Sequence, residues 1–198
     1  MDPILTKSEE REAILRCQQG NQEAFRRVLD FHGDHLYRVA LLITRDASLA
    51  EEAVQESLLA AWKKIRSFDL DRDFRPWINR ILINCIGMMQ RRKRLPTTPV
   101  EDALPLADTG EGPEQSALNA ETAAMLQSAL RTLSVEHRTV LVLRFFNDLS
   151  LPEIAESTGW RVGTVKSRLH RATAALRDAV AASEGFGEPR LSGEEAQS

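Results

Sequence analysis

The chain has 198 residues, 42 % hydrophobic and 28 % charged, with a formal net charge of −3. That is the make-up of a soluble globular protein, long enough for one large core or two small ones. No apolar run approaches the roughly 20 residues that span a bilayer, which leaves no role for membrane insertion.

The N-terminal stretch "MDPILTKSEEREAIL" lacks the basic start and apolar body of a secretory signal. Cys17 and Cys85 lie far apart and form no Cys-x-x-Cys pair, so they read as reduced, buried thiols of a cytoplasmic protein. Helices are predicted at 8–19, 21–32 and 34–45. Between the last two stands "HGDH", where His32, Asp34 and His35 have the residue types of a metal-assisted hydrolase. The remaining histidines, His137 and His170, fall in the other half of the chain, and there is no Gly-rich phosphate loop or nucleophile elbow. The expectation is therefore surface histidines in a helix–helix turn, with no metal, no cofactor and no catalytic residue.

Next, Ala50, Ala53, Val54, Ser57, Leu58, Ala61, Trp62 and Ile65 recur at three- and four-residue spacing and form one apolar stripe. Glu51, Glu52, Gln55 and Glu56 cluster off that stripe. A polar loop follows, and a further helix is predicted from Phe74 through "WINRILINCIGMMQRRKR". Phe74 and Trp77 read as core anchors. Asn79, Arg80 and the loop are better candidates for an unstacked nucleic-acid base. The closing "RRKR" reads equally as a nucleic-acid contact or as charge complementing a helix C-terminus.

Residues 95–116 hold four of the eight prolines, five carboxylates and no basic residue, the composition of an extended acidic linker. Beyond it, Leu118, Thr122, Met125, Leu126, Ala129, Leu130 and Leu133 mark another amphipathic helix, and Ser134 caps the one that follows. Ser150 and Glu153 have capping-box spacing, Pro152 suits a first turn, and Gly159 suits a left-handed turn. Ala155 and Val165 then allow two helices to cross closely through a three-residue turn. This is a helix-turn-helix whose second helix starts near Val162. Val165, Leu169 and Ala172 point inward, leaving Thr164, Lys166, Ser167, His170 and Arg171 outward, where a recognition helix reads duplex DNA.

The net charge hides a division. Residues 72–94 carry seven Arg/Lys against one carboxylate, and residues 161–177 carry five against none. Two basic segments in an acidic chain point to local contact with a polyanion.

Three stretches in series resemble the extracytoplasmic-function (group IV) sigma factors of bacterial RNA polymerase. They are "GNQEAFRRVLDFHGDHLYRVALLITRDASLAEEAVQESLLAAWKKI", "FDLDRDFRPWINRILINCIGMMQRRKR" and "LSLPEIAESTGWRVGTVKSRLHRATAALR". The resemblance implies an all-α fold of two small helical domains. A region 2-like domain would occupy 1–94, the linker 95–116, a region 4-like domain 117–183, and a disordered tail 184–198. It implies a non-enzymatic, cytoplasmic subunit that directs core polymerase to promoters. Glu52, Gln55, Glu56, Leu58 and Trp62 would dock on the clamp of the largest subunit. Asp69, Leu70, Asp71, Arg72, Asn79, Arg80 and Asn84 would capture the opened −10 element. Thr164, Lys166, Ser167, His170 and Arg171 would read the −35 duplex, with Arg161 and Arg168 on its phosphates. The acidic linker would thread polymerase channels, and an anti-sigma factor joins core polymerase and promoter DNA among the implied partners.

Arg161 stands where the family often has Ser or Pro, and Glu52 where Asp is commoner. The three aspartates of the loop leave its base preference open, and no extension long enough for a further sensory domain is expected. The competing reading is a free-standing helix-turn-helix regulator that binds palindromic duplex as a dimer, in which the 52–56 patch has no obvious task.

Overall fold

The computed structural model describes residues 6–93 and 128–184, and among these every regular element is helical. In chain order the first unit comprises α1 (Lys7–Gln18), α2 (Gln22–Thr44), α3 (Ala47–Lys64) with a 3-10 turn (Ile65–Ser67), and α4 (Phe74–Lys93). The second comprises residues 128–131, helical at their described end, then α5 (Val135–Leu141) running into a π-helical turn (Val142–Phe146), α6 (Leu151–Thr158) and α7 (Val162–Glu184). The expected linker at 95–116, the expected helical positions from Leu118 to Leu126, Arg94 and the tail beyond Glu184 lie outside the described residues.

Local chemistry sets most of the helix starts. Thr6 and Glu9, and likewise Ser150 and Glu153, form reciprocal capping boxes that satisfy backbone donors lacking a helical partner. Asn21, Asp46 and Ser134 each accept from a backbone N–H three residues on. α2 stops where Arg45 turns left-handed at φ 61°, and Asp46 immediately caps α3. That tight corner folds α3 back on α2.

One expectation is corrected. The predicted break at 32–34 does not exist, because α2 continues from Gln22 to Thr44. A glycine in a helix interior costs only about 1 kcal/mol relative to alanine. The buried stripe of Val28, His32, Leu36, Val39, Ala40 and Ile43 carries the helix through Gly33. Nor are the histidines surface residues. His32 is buried, its Nε2 2.7 Å from Glu10 Oε1, and its ring packs on Phe31 and Phe74. The His35 ring stacks on Phe146. Only Asp34 of the "HGDH" group is exposed, so the three do not converge on one point.

The first core gathers Leu36, Val39, Ile43, Ile65, Leu82 and Ile86, all fully buried. The second gathers Val140, Leu143, Ile154, Val165 and Ala172. Burying each such large aliphatic contributes about 1.5–3 kcal/mol, and the cores are not separate. Val142 of the second unit belongs to the first core, while Leu42 and Ile83 of the first unit lean on the second. The two units therefore pack together, with α6 lying across α4.

Candidate functional site

α3 turns its apolar stripe inward: Ala50, Ala53, Ser57 and Ala61 have no measurable exposure. The helix period then sends Glu51, Glu52, Gln55 and Glu56 to solvent. Among the described residues none of these carboxylates has a salt-bridge partner. Leu59, 57 % exposed, lies one turn along from Gln55 and Glu56. Leu58 is half-buried, and Trp62 packs on Phe25 with ring centroids 4.8 Å apart. The result is an acidic surface with an apolar margin.

The 68–73 loop is pinned from beneath. Gln18 Nε2 donates to the Phe68 carbonyl at 2.6 Å and to the Ile65 carbonyl at 3.1 Å. Phe68, Phe74 and Trp77 form an aromatic cluster with centroids 5.0–5.4 Å apart, so Phe74 and Trp77 do anchor the core. Within the loop the Asp71 N–H donates to Asp69 Oδ1, and Arg72 N–H to the Asp69 carbonyl. Asp71 pairs with Arg11 and Asp73 with Lys7, both as exposed ion pairs that contribute at most about 1 kcal/mol each. Asp69, Asp71, Arg72, Arg80 and Asn84 are exposed and Leu70 is half-buried. Asn79 differs: it is 1 % exposed, and its Oδ1 is buried without a hydrogen-bond partner.

The helix-turn-helix is built by α6, the turn at Gly159, and α7. Gly159 takes φ 72°, a conformation glycine adopts without strain, and its N–H closes on the Ala155 carbonyl. Val165 and Ala172 are fully buried with Leu169 half-buried behind them. Lys166, Ser167, His170, Arg171 and Arg161 are exposed, and Thr164 is half-buried. Arg168 faces the other way. Its guanidinium lies 3.8 Å over the Trp160 ring, with Nη1 buried, lining a groove between the units with Asn84 and Gly87.

Sequence reading missed the residues that join the units. Arg138 is 8 % exposed; its Nε donates to the Ile43 carbonyl at 2.8 Å and its Nη1 to the Leu133 carbonyl at 2.6 Å. Desolvation, with help from Arg45, pushes its pKa down to about 10, so the group stays charged at neutral pH. Ser157 Oγ donates to the Pro76 carbonyl at 3.1 Å, and Arg72 pairs with Glu156. The partners that meet across the two units lie 81 to 95 residues apart, beyond any local pattern. Both cysteines are free, and burial pushes the Cys17 thiol up to about 11. Among the described residues no helix is long and apolar enough to cross a membrane.

Two family descriptions match: sigma-70 region 2 over residues 22–95, and sigma-70 region 4 over residues 123–176. The chain is 31 % identical to the ECF RNA polymerase sigma factor SigW of Bacillus subtilis (strain 168), across 83 % of this chain and 92 % of that one. It is 35 % identical to the ECF RNA polymerase sigma factor SigM of Mycobacterium tuberculosis, across 79 % and 77 %. Among solved structures it is similar to the sigma factor RpoE of Bartonella quintana, crystallised with the anti-sigma factor NepR. That likeness has TM-score 0.64 and 26 % identity, across 79 % of this chain and 96 % of that one. With a helix-turn-helix at one end, an acidic helical face at the other, and relatives matched across most of their length, the chain belongs to the extracytoplasmic-function sigma factors of bacterial RNA polymerase.

Proposed function

We propose that this sigma factor divides its work between two chemically opposite surfaces. The α3 face of Glu52, Gln55 and Glu56, with Leu58 and Trp62 beside it, docks on the clamp of the largest polymerase subunit. The 68–73 loop with Arg72, Asn79, Arg80 and Asn84 captures the opened −10 element. Lys166, Ser167, His170 and Arg171, with Thr164 behind them, read the −35 duplex, and Arg161 holds its phosphates, whereas Arg168, turned onto Trp160, does not join them. The protein performs no chemistry of its own and works in the cytoplasm, where polymerase acts. An anti-sigma factor is a further partner, in keeping with the RpoE relative crystallised with NepR.

The observation that carries the docking assignment is the exposed carboxylate group on α3, left without a cation among the described residues. A row of unpaired like charges on one helix gains nothing for the fold, whereas a basic partner surface gains specificity and association rate from it. Replacing Glu52→Lys together with Glu56→Lys abolishes co-purification with core polymerase while the helical circular-dichroism signal stays intact. Undiminished association would overturn the docking face.

A further inference from the structure

The 68–73 loop is held by a helix that contributes none of its residues. On α1, Lys7, Arg11, Ile14 and Gln18 recur at spacings of four, three and four residues, which places them on one side of the helix. Ile14 is buried in the first core and sets that side against the rest of the unit. The other three meet the loop in order along its length. Gln18 Nε2 donates to the Ile65 and Phe68 carbonyls at its entry. Arg11 reaches Asp71 at 3.0 Å, and Lys7 reaches Asp73 at 3.3 Å, just before α4 begins. Glu10, beside Arg11, holds the buried His32, whose ring packs on Phe74, the first residue of α4. Both roots of the loop therefore trace back to α1. The contacts are unequal in strength. The Arg11 and Lys7 pairs are exposed, so water and salt screen them. Gln18 is half-buried, and the carbonyl it holds at 2.6 Å belongs to the buried Phe68, so water competes less for that bond.

We propose that Gln18 is a positioning residue of the −10 reader: its amide fixes where the 68–73 loop meets an unstacked base. Arg11 and Lys7 assist by drawing Asp71 and Asp73 toward α1, which lowers the negative charge the loop presents to DNA. This rests on the −10 assignment made above. A binding constellation discriminates only when its groups are held within about 0.5 Å of their working geometry, so α1 governs base choice without touching DNA.

The test uses the full chain with core polymerase and promoter libraries randomised separately at the −10 and −35 elements. Gln18→Met keeps length and shape but has no donor, whereas Gln18→Lys keeps both length and a donor. Gln18→Met should flatten the −10 base preference about tenfold and leave the −35 preference intact. In the free chain it should also speed amide hydrogen exchange across residues 69–73. Gln18→Lys should retain most of the preference, which a role in packing alone does not predict. Arg11→Gln, at an exposed position, should flatten the preference only about twofold, and less at high salt. An unchanged −10 preference in Gln18→Met would overturn the proposal. So would an equal loss at both elements, or a Gln18→Lys variant no better than Gln18→Met. Should Gln18→Met lose its helical signal, the isosteric Gln18→Glu, whose carboxylate cannot donate, takes its place with the same expectation. Asp69→Ala, within the loop itself, separates the two levels of the reading. If it leaves the −10 preference untouched, the −10 assignment fails and the proposal with it. If it alters the preference while Gln18→Met does not, the positioning role alone fails.

Discussion

α4 carries Arg75, Arg80, Arg91 and Arg92, and α7 carries Lys166, Arg168, Arg171 and Arg177; all of these except Arg168 are exposed, yet the faces beside them are covered very differently. On α7 the cations Lys166, Arg171 and Arg177 lie on a surface free of the first unit, opposite the stripe of Val165, Leu169 and Ala172. On α4 the stripe of Pro76, Asn79 and Ile83 lies under α6, and the loop cation Arg72 is taken by Glu156. Both segments are basic in sequence, so charge density alone does not tell which face of a helix a neighbour covers. The distinction comes from which neighbour packs on the helix, and Arg168 shows it within α7 itself. Turned toward Trp160 and the groove between the units, it leaves the outward group.

The largest way to disturb this difference is to remove Arg138, which serves both units. Arg138→Met keeps much of the volume but strips the donors from the Ile43 and Leu133 carbonyls. Buried acceptors left unmatched, together with the lost charged hydrogen bonds, should cost about 2–4 kcal/mol. A urea titration of the full chain reads this, and an unmoved midpoint would deny Arg138 its structural role. Next in size is Arg171→Ala on the exposed face of α7. It should weaken promoter use by about 1–3 kcal/mol and relax the choice of base at one upstream position. Transcription from a randomised upstream library measures it, and a uniform loss across sequences would make Arg171 a phosphate contact instead. Smaller again is Ser150→Ala at the cap of α6, the helix that covers α4. Losing the reciprocal bonds with Glu153 should cost about 1 kcal/mol, seen as a lowered thermal midpoint.

What was legible in the sequence follows the range of the interactions involved. The capping pairs, the Gly159 turn and the inward stripe of α7 depend on residues within one or two turns, so spacing reveals them. The α3 stripe and its acidic outer side are visible for the same reason. The turn expected at "HGDH" is absent because the buried stripe from Val28 to Ile43 holds α2 together through Gly33, whose cost in a helix is only about 1 kcal/mol. The burial of Asn79, the inward turn of Arg168 and the role of Arg138 were illegible. Each depends on a helix arriving from the other half of the chain, and no periodicity within α4, α5 or α7 encodes that arrival.

At His35 the two units meet as an aromatic stack. Its ring lies parallel to Phe146, 8° between planes and 5.3 Å between centroids. Burial pushes its pKa below the ordinary 6.5, and the positive field of Arg75, His32 and Arg38 pushes the same way. Asn147 leans close enough to favour the charged form, but its amide and the His35 Nε2 lack hydrogen-bond geometry and stay unpartnered. The folded chain therefore binds fewer protons at this site than the unfolded chain does. Stability from neutral His35 is fully present above pH 6.5 and is lost as pH falls below that value toward the lowered folded pKa. Unfolding free energy measured between about pH 7.5 and 5.5 should decline toward the acid side. His35→Phe keeps a ring against Phe146 but cannot titrate, so part of that decline should vanish. An identical slope in the variant would assign the acid sensitivity to another group, and would leave the stack as packing without a pH response.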